Sequence, residues 1–336
     1  MNHPLLALQV RQRHRHRLLL GALLLVLLAM ALLSLSLGAY GLWPWQEQDP
    51  IGRQILWQLR LPRTLLAMAV GAALAMSGAT LQVLLYNPVA EPGLLGISSG
   101  AGLCAMVAMT LANAGGWILP AWVLALASFA GALLVTALLV GMSRRRRLDT
   151  GRLLLFGVAI GILANAAVTW LLYLADDASL RQFMFWLMGS LAFGGGQLFW
   201  SLPLLLAGAL MLGLRGRAMQ LLLLGEDQAR LMGLDVVRER TWLILLVCLL
   251  TALAVSLAGV IGFVGLVVPH LLRLAGVTHP RHLLPASALG GALLLLMADL
   301  LARTTLTSGE LPIGVVTATL GAPLFIALLM RRHAAT

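Results

Sequence analysis

The chain has 336 residues, of which 60% are hydrophobic and 10% charged, and its mean hydropathy is +0.95. A soluble domain carries about 25% charged residues, so this composition excludes a soluble globular protein and predicts an all-α, polytopic membrane protein. The formal net charge of +11 rests on 23 arginines and no lysine, which excludes a lysine-containing phosphate-binding loop and Schiff-base chemistry.

The N-terminal region contains four arginines, Arg11, Arg13, Arg15 and Arg17, ahead of an apolar stretch at residues 18–38. A cleaved signal peptide has an apolar core of roughly 7–15 residues. This stretch is about 20 residues long, which is enough to span a bilayer. We therefore predict a retained first transmembrane helix.

Hydropathy predicts ten spans along the chain. They lie roughly at residues 18–38, 64–86, 94–112, 117–140, 153–175, 197–214, 241–258, 262–275, 283–301 and 311–330. The eighth is short, and its prediction rests on the charge-free run 241–268, whose 28 residues would form a helix of about 42 Å. That length exceeds a hydrocarbon core of about 30 Å, so we expect a break near Gly259 followed by a half-helix.

The arginines give this topology an orientation. Ten spans place both termini on one side, together with 18 arginines, and leave 5 on the other. The positive-inside rule makes the arginine-rich side cytoplasmic. The positive charge therefore reflects membrane topology, and we expect no nucleic-acid partner.

One polar segment, residues 214–242, interrupts the apolar chain on the cytoplasmic side; we call it the island. Its centre, 225–233, predicts a two-turn helix with acids in the first turn, where the helix dipole favours them. Glu226 and Arg230 form an i,i+4 pair, and Gly233 can end the helix in a left-handed cap. This pattern indicates a docking site for a cytoplasmic partner.

Ionisable residues within spans are functional candidates, and there are hardly any here: Asp299 lies near the outer end of the ninth span and His270 near the inner end of the eighth. Neither forms the paired cluster of an ion-coupled carrier, a metalloprotease or an acid–base enzyme. We expect no metal and no cofactor, and an ion-coupled carrier or a membrane enzyme remains the alternative of another class. Cys104 and Cys248 lie in apolar runs and are interpreted as buried hydrophobic residues.

Three features outside the spans are open to more than one interpretation. Arg60, Arg63 and Arg303 lie on the side where arginine is rare, either as headgroup anchors or as acceptors for acidic side chains of an external protein. The prolines and glycine of 87–93 predict a non-helical connection, either a simple connector or the narrow inner end of a pathway. Segment 176–196 is either an interfacial helix over a pore mouth or an ordinary loop.

From about residue 50 onward, the chain resembles the permease subunits of ATP-driven importers for iron-siderophores and cobalamin. The motifs that carry the resemblance are 58–63 (QLRLPR), 87–96 (NPVAEPGLLG), 225–233 (GEDQARLMG), 262–270 (GFVGLVVPH) and 310–323 (ELPIGVVTATLGAP). Within the family, 87–96, 181–189 and 310–323 look most like the members that import vitamin B12. The resemblance therefore implies cobalamin as substrate, with a ferric siderophore or haem as the alternative.

The resemblance also implies an architecture and a set of partners. It implies the type II ABC importer fold, with ten transmembrane helices in one permease domain over 1–336 and the coupling segment at 214–242. The chain would form a homodimer in the bacterial inner membrane, in contact with lipid. Two copies of a cytoplasmic P-loop ATPase would bind it inside the cell, and a periplasmic substrate-binding protein would bind outside. The permease itself would not be an enzyme.

Matching by motif, the resemblance implies three sets of site residues. The ATPase-coupling set is Gly225, Glu226, Ala229, Arg230 and Gly233. The set that docks the binding protein is Arg60, Arg63 and Arg303. The cytoplasmic gate is Asn87, Val89, Thr150 and Gly151, the last replacing a serine expected in the family.

Overall fold

The computed structural model describes residues 4–37, 50–146, 150–192, 195–306 and 309–333, and within these ranges all regular structure is helical. The α-helices are α1 Pro4–Ser36, α2 Pro50–Ile55, α3 Leu61–Leu84, α4 Ile97–Ala114, α5 Ala121–Arg146, α6 Thr150–Leu174, α7 Asp177–Leu187, α8 Leu198–Leu214, α9 Gly216–Leu222, α10 Glu226–Leu231, α11 Val236–Ala258, α12 Val264–Leu274, α13 Pro280–Thr304 and α14 Ile313–His333. A π-helical turn, Leu56–Arg60, joins α2 to α3. The all-α fold predicted from composition is confirmed.

Seven helices of the described chain are long and apolar enough to cross a bilayer. They are His14–Ser36, Ile51–Leu84, Ile97–Ala114, Ala121–Met142, Gly151–Leu174, Val236–Ala258 and Pro280–Thr304. The pair α8 and α9, which is bent by 46°, would count as an eighth if it forms one span. The other two predicted spans correspond to shorter apolar helices, Val264–Leu274 and Ile313–Ile326, so the count of ten spans stays a prediction.

Helix α3 lies at the centre of the fold, because it packs against α8, α11, α12 and α13. Its span, Ile51–Leu84, and that of α11 are each 83% buried. Glycines allow neighbouring helices to approach α3 closely. A β-carbon on Gly71 would lie 2.2 Å from the carbonyl oxygen of Gly291 on α13, and one on Gly78 would lie 1.9 Å from that of Gly265 on α12. Helices in lipid associate through such close packing, because burial between them gains no hydrophobic energy.

The predicted break after the seventh span is present. Helix α11 ends at Ala258, Gly259 has φ 70°, and α12 begins only at Val264. The end of α7 covers this irregular backbone: the Ser190 N–H donates to the Ala258 carbonyl at 2.9 Å. Irregular backbone at membrane depth persists only where protein or water covers it, and here protein does so.

Several helices begin earlier than hydropathy predicts. Helix α1 begins at Pro4 rather than residue 18 because arginine is a good helix former and continues the helix beyond the apolar stretch. Helix α11 begins at Val236 rather than 241, where the Asp235 side chain caps it by accepting from the Arg238 N–H. The aromatic segment after residue 176 is helical over Asp177–Leu187, and its place over a pore mouth stays a prediction.

Replacing Gly78 with alanine should destabilise the protein, because the added methyl group forces α3 and α12 apart. We expect a loss of about 1–3 kcal/mol, as for other overpacked cores, and a lower unfolding temperature in detergent by scanning fluorimetry. Gly141→Ala in α5 is the matched control, since no atom lies within 4 Å of its β-carbon position. Equal unfolding temperatures for the two variants would contradict this account of the packing.

Candidate functional site

One polar cluster lies where α1 and α13 end and α3 begins. Arg63 on α3 donates from Nε to Asp299 on α13 at 2.8 Å and from Nη1 to Glu310 at 2.8 Å. Asp299 is fully buried, whereas the Glu310 side chain is 46% exposed. A buried carboxylate and a surface carboxylate therefore share one guanidinium. We call Arg60, Arg63, Arg303, Asp299 and Glu310 the arginine cluster.

The other two arginines of the cluster hold the end of α1. Arg303 donates to the carbonyl and the hydroxyl of Ser34 at 2.9 and 2.7 Å, and its Nε lies 3.3 Å from Asp299 Oδ2. Arg60 donates to the carbonyls of Leu35 and Ser36 at 2.9 and 3.1 Å. The last carbonyls of a helix have no intrahelical partner, and arginine supplies one here. Arg60, Arg63 and Arg303 thus converge on one site, as the docking prediction requires.

The island folds as its sequence predicts. Helix α10 lies between Gly225 at φ 105° and Gly233 at φ 84°, values that favour glycine. The predicted pair is present, with Arg230 donating to Glu226 at 3.1 Å and also to Asp227 at 3.2 Å. Ala229 is fully buried, so one face of α10 packs inward.

Glu226 has a second partner that the sequence analysis missed. Arg240, in the first turns of α11, donates to the other oxygen of the Glu226 carboxylate. The carboxylate therefore links α10 to α11, while Arg230 lies on α10 itself. Spacing could not reveal this contact, because Glu226 and Arg240 are 14 residues apart and on different helices.

The island also contacts the loop that follows α3. The Tyr86 hydroxyl donates to the carbonyl of Leu222, at the end of α9. Tyr86 has φ 48°, which is uncommon for a residue other than glycine, and burial raises the pKa of its phenol. Asn87 follows directly, and its side-chain oxygen accepts from the Val89 N–H at 3.0 Å. The Asn87 and Val89 pair is thereby locked in a tight turn beside the island.

The same loop is held to the half-helix α12 from inside. The buried Gln82 amide donates to the carbonyls of Ala90 and Gly265, each at 3.3 Å, and its oxygen accepts from Arg273. Glu91 accepts from the Phe263 N–H; burial raises the pKa of the Glu91 carboxyl, and this hydrogen bond opposes the shift. A cavity of about 360 Å³, lined by Glu91, Ser98 and Asn165 among others, lies beside this junction.

The second predicted gate pair, Thr150 and Gly151, begins α6. Gly151 is exposed, and the Thr150 side chain lies outside the described part of the chain. The structure brings α6 to the loop after α3 further along, where a β-carbon on Gly157 would lie 2.9 Å from the Leu95 α-carbon. The two predicted gate segments therefore belong to elements that touch.

The described ranges contain no group of three or more His, Cys, Asp or Glu side chains arranged to bind a metal ion. Cys104 and Cys248 are free thiols. The polar groups that do converge join elements of the fold, since they contact backbone carbonyls or opposite charges on other helices.

The sequence profile of the FecCD transport family matches residues 19–331. The chain belongs to this family. FecCD members are multi-pass permeases of the inner membrane, and they work in ABC importers with ATPase and substrate-binding partners and as dimers. In the permease described here, one polar junction lies at the island and one polar cluster lies at the opposite end of α3.

Relatives and a solved structure support this membership over nearly the whole FecCD chain. The vitamin B12 import system permease protein BtuC of Serratia proteamaculans is 50% identical over 296 residues, covering 88% of this chain and 87% of the relative. The protein of the same name from Yersinia enterocolitica is 48% identical over 336 residues and 98% of both chains. A structure described as a metal-chelate type ABC transporter in an inward-facing conformation matches with TM-score 0.84 and 33% identity, covering 93% of this chain and 98% of the other.

Replacing Asp299 with asparagine should destabilise the FecCD permease, because Arg63 and Arg303 would lose their buried counter-ion. Removing one partner of a buried pair costs about 3–5 kcal/mol. Thermal unfolding in detergent measures the effect, with Asp227→Asn as control, since that carboxylate is 88% exposed. An unfolding temperature for Asp299→Asn equal to that of the control would show that the buried charge is not needed.

Proposed function

We propose that this chain is the permease subunit of an ATP-driven importer that carries vitamin B12 across the bacterial inner membrane. Full-length relatives at 48–50% identity carry that name, and this similarity favours cobalamin. The observation that supports the transport role is the junction at which the island meets the loop after α3. A ferric siderophore or another metal chelate is the second candidate, favoured by the solved neighbour at 33% identity.

The proposal includes a specific assembly. Residues 1–336 form one transmembrane permease domain with the coupling segment at 214–242, and two copies form a homodimer. Both termini lie in the cytoplasm, as the arginine distribution favours. Two ATPase subunits bind the island faces, and a periplasmic binding protein docks at the opposite side of the membrane.

In this mechanism the island passes the movement of the ATPase to the gate. Gly225, Glu226, Ala229, Arg230 and Gly233 form the coupling helix and its caps. ATP closes the nucleotide-binding dimer, and α10 moves with it. The hydrogen bond between Tyr86 and Leu222 then pulls the loop that carries Asn87 and Val89. Helices then rock as rigid bodies between outward- and inward-facing states.

The gate and docking roles complete the cycle. Asn87 and Val89 close the cytoplasmic end together with Thr150 and Gly151 at the start of α6. Arg60, Arg63 and Arg303 receive acidic side chains of the binding protein, since guanidinium groups pair with carboxylates in a bidentate manner. Their convergence on one cluster supports a common site for that partner, in which Arg63, at 14%, is the most exposed of the three side chains.

Substrate identity is tested in a bacterial strain that lacks its own vitamin B12 permease. Expression of this chain should restore uptake of radiolabelled cobalamin and leave uptake of a labelled ferric siderophore at the level of the empty vector. Restoration of siderophore uptake alone would replace cobalamin with the second candidate. Uptake of neither compound, with the chain present in the membrane together with the host ATPase, would overturn the importer role.

Substitutions of the two arginines that contact Glu226 distinguish the transmission of movement from the stability of α10. Arg240→Gln removes the link from α10 to α11, whereas Arg230→Gln removes only a contact within α10. In liposomes with the ATPase and binding protein, we expect Arg240→Gln to lower cobalamin uptake per ATP hydrolysed more than Arg230→Gln does. Equal ratios for both variants and the unmodified protein would remove Glu226 from the coupling path.

A further inference from the structure

The arginine cluster contains two carboxylates with opposite accessibility. Asp299 is fully buried between Arg63 and Arg303, so solvent and partners cannot reach it. Glu310 contacts the same Arg63 from the surface, and its side chain is 46% exposed. Exposed ion pairs contribute little to stability. Of the two contacts that Arg63 makes with acids, the one with Glu310 is therefore the one that can exchange.

The charges of the cluster favour an incoming acid. The cluster holds three arginines and two carboxylates, a net charge of +1; Arg63 and Arg303 contact the carboxylates, whereas Arg60 contacts backbone carbonyls. Arg60 and Arg303 are held by the carbonyls at the end of α1. Arg63 is only 14% exposed, and Glu310 occupies its Nη1 atom. An acidic side chain that approaches Arg63 from outside therefore finds Glu310 already bound to the guanidinium.

Glu310 lies at the start of the segment that leads from α13 into α14, and this segment lines a cavity. The Leu311 N–H donates to the Ala302 carbonyl at 3.0 Å, the Ile313 N–H to Gly189 at 3.0 Å, and the Gly314 N–H to Met188 at 2.9 Å. These bonds connect α13, the end of α7 and the start of α14. A cavity of about 630 Å³ is lined by Glu310, Leu311 and Pro312 on one side and by Trp186 and Gly189 on the other.

We propose that Glu310 is an internal competitor for the docking site: a carboxylate of the periplasmic binding protein displaces Glu310 from Arg63. The inference rests on the proposed function, which gives the arginines their docking role. Displaced Glu310 releases the start of the segment that joins α13 to α14. Docking thereby changes the contacts of the segment that lines the cavity between α7 and α14, while Asp299 keeps Arg63 in place.

The test measures binding of the periplasmic vitamin B12-binding protein to the permease–ATPase complex in nanodiscs. Glu310→Gln removes the competing charge and keeps the shape of the side chain. We expect several-fold tighter binding. Asp177→Asn is the matched control, because Asp177 is an exposed acid in the first turn of α7, outside the cluster. Asp177→Asn removes one negative charge, as Glu310→Gln does. At about 150 mM salt, interactions between exposed charges are largely screened beyond about 8 Å.

Salt dependence distinguishes exchange from a structural effect of Glu310. In the unmodified protein one ion pair replaces another, so docking gains no net pair at Arg63. In Glu310→Gln a new pair forms, and the affinity should fall more steeply as salt rises. Equal salt slopes would overturn the exchange, as would an affinity for Glu310→Gln equal to or weaker than that of the unmodified complex.

A third variant separates the inference from the docking proposal on which it rests. Arg63→Gln should weaken docking. Weakened docking in Arg63→Gln, together with unchanged affinity in Glu310→Gln, overturns the competitor role and leaves the docking role standing. Unchanged docking in Arg63→Gln overturns both. Unfolding temperatures of all variants establish that each complex is folded when its affinity is measured.

Discussion

Backbone contact between α3 and its neighbours is the constraint on which the rest of the structure depends. At Gly71 and Gly78 no side chain separates α3 from α13 and α12. Such approach is needed in lipid, where helices gain no hydrophobic energy from meeting. Because both contacts involve carbonyl groups and not flexible side chains, α3 cannot turn about its axis without a clash. The residues at its two ends therefore keep fixed positions relative to one another.

Each end of α3 carries one of the two polar junctions. Arg63 at its start joins α13 and the segment before α14, and Gln82 near its end joins the loop after α3 to α12. The two residues are about 28 Å apart along the helix, which is close to the thickness of a bilayer core. A single rigid helix thus spans from the proposed docking surface to the proposed gate. Movement at one end is accompanied by movement at the other, as rigid-body alternating access requires.

Local patterns predicted most of the fold, whereas the contacts between distant segments escaped them. Hydropathy located the long helices, and the charge-free run 241–268 correctly indicated the break at Gly259 because length alone rules out one helix. The i,i+4 spacing predicted the contact of Glu226 with Arg230. The pairing of Arg63 with Asp299 spans 236 residues and has no local signal, although the i,i+4 spacing of Asp299 and Arg303 could have indicated half of that cluster. Hydropathy also missed the early start of α1, since arginine ends an apolar run without ending a helix.

The contact between Tyr86 and Leu222 differs in kind from the ion pairs around it. It joins a neutral phenol to a neutral peptide carbonyl, so counter-ions have no charge there to screen. The pairs of Glu226 with Arg230 and of Arg230 with Asp227 are partly exposed and weaken as ionic strength rises. A rise in ionic strength that weakens the ion pairs on the surface of α10 therefore leaves the strength of this neutral hydrogen bond between the loop and the island almost unchanged.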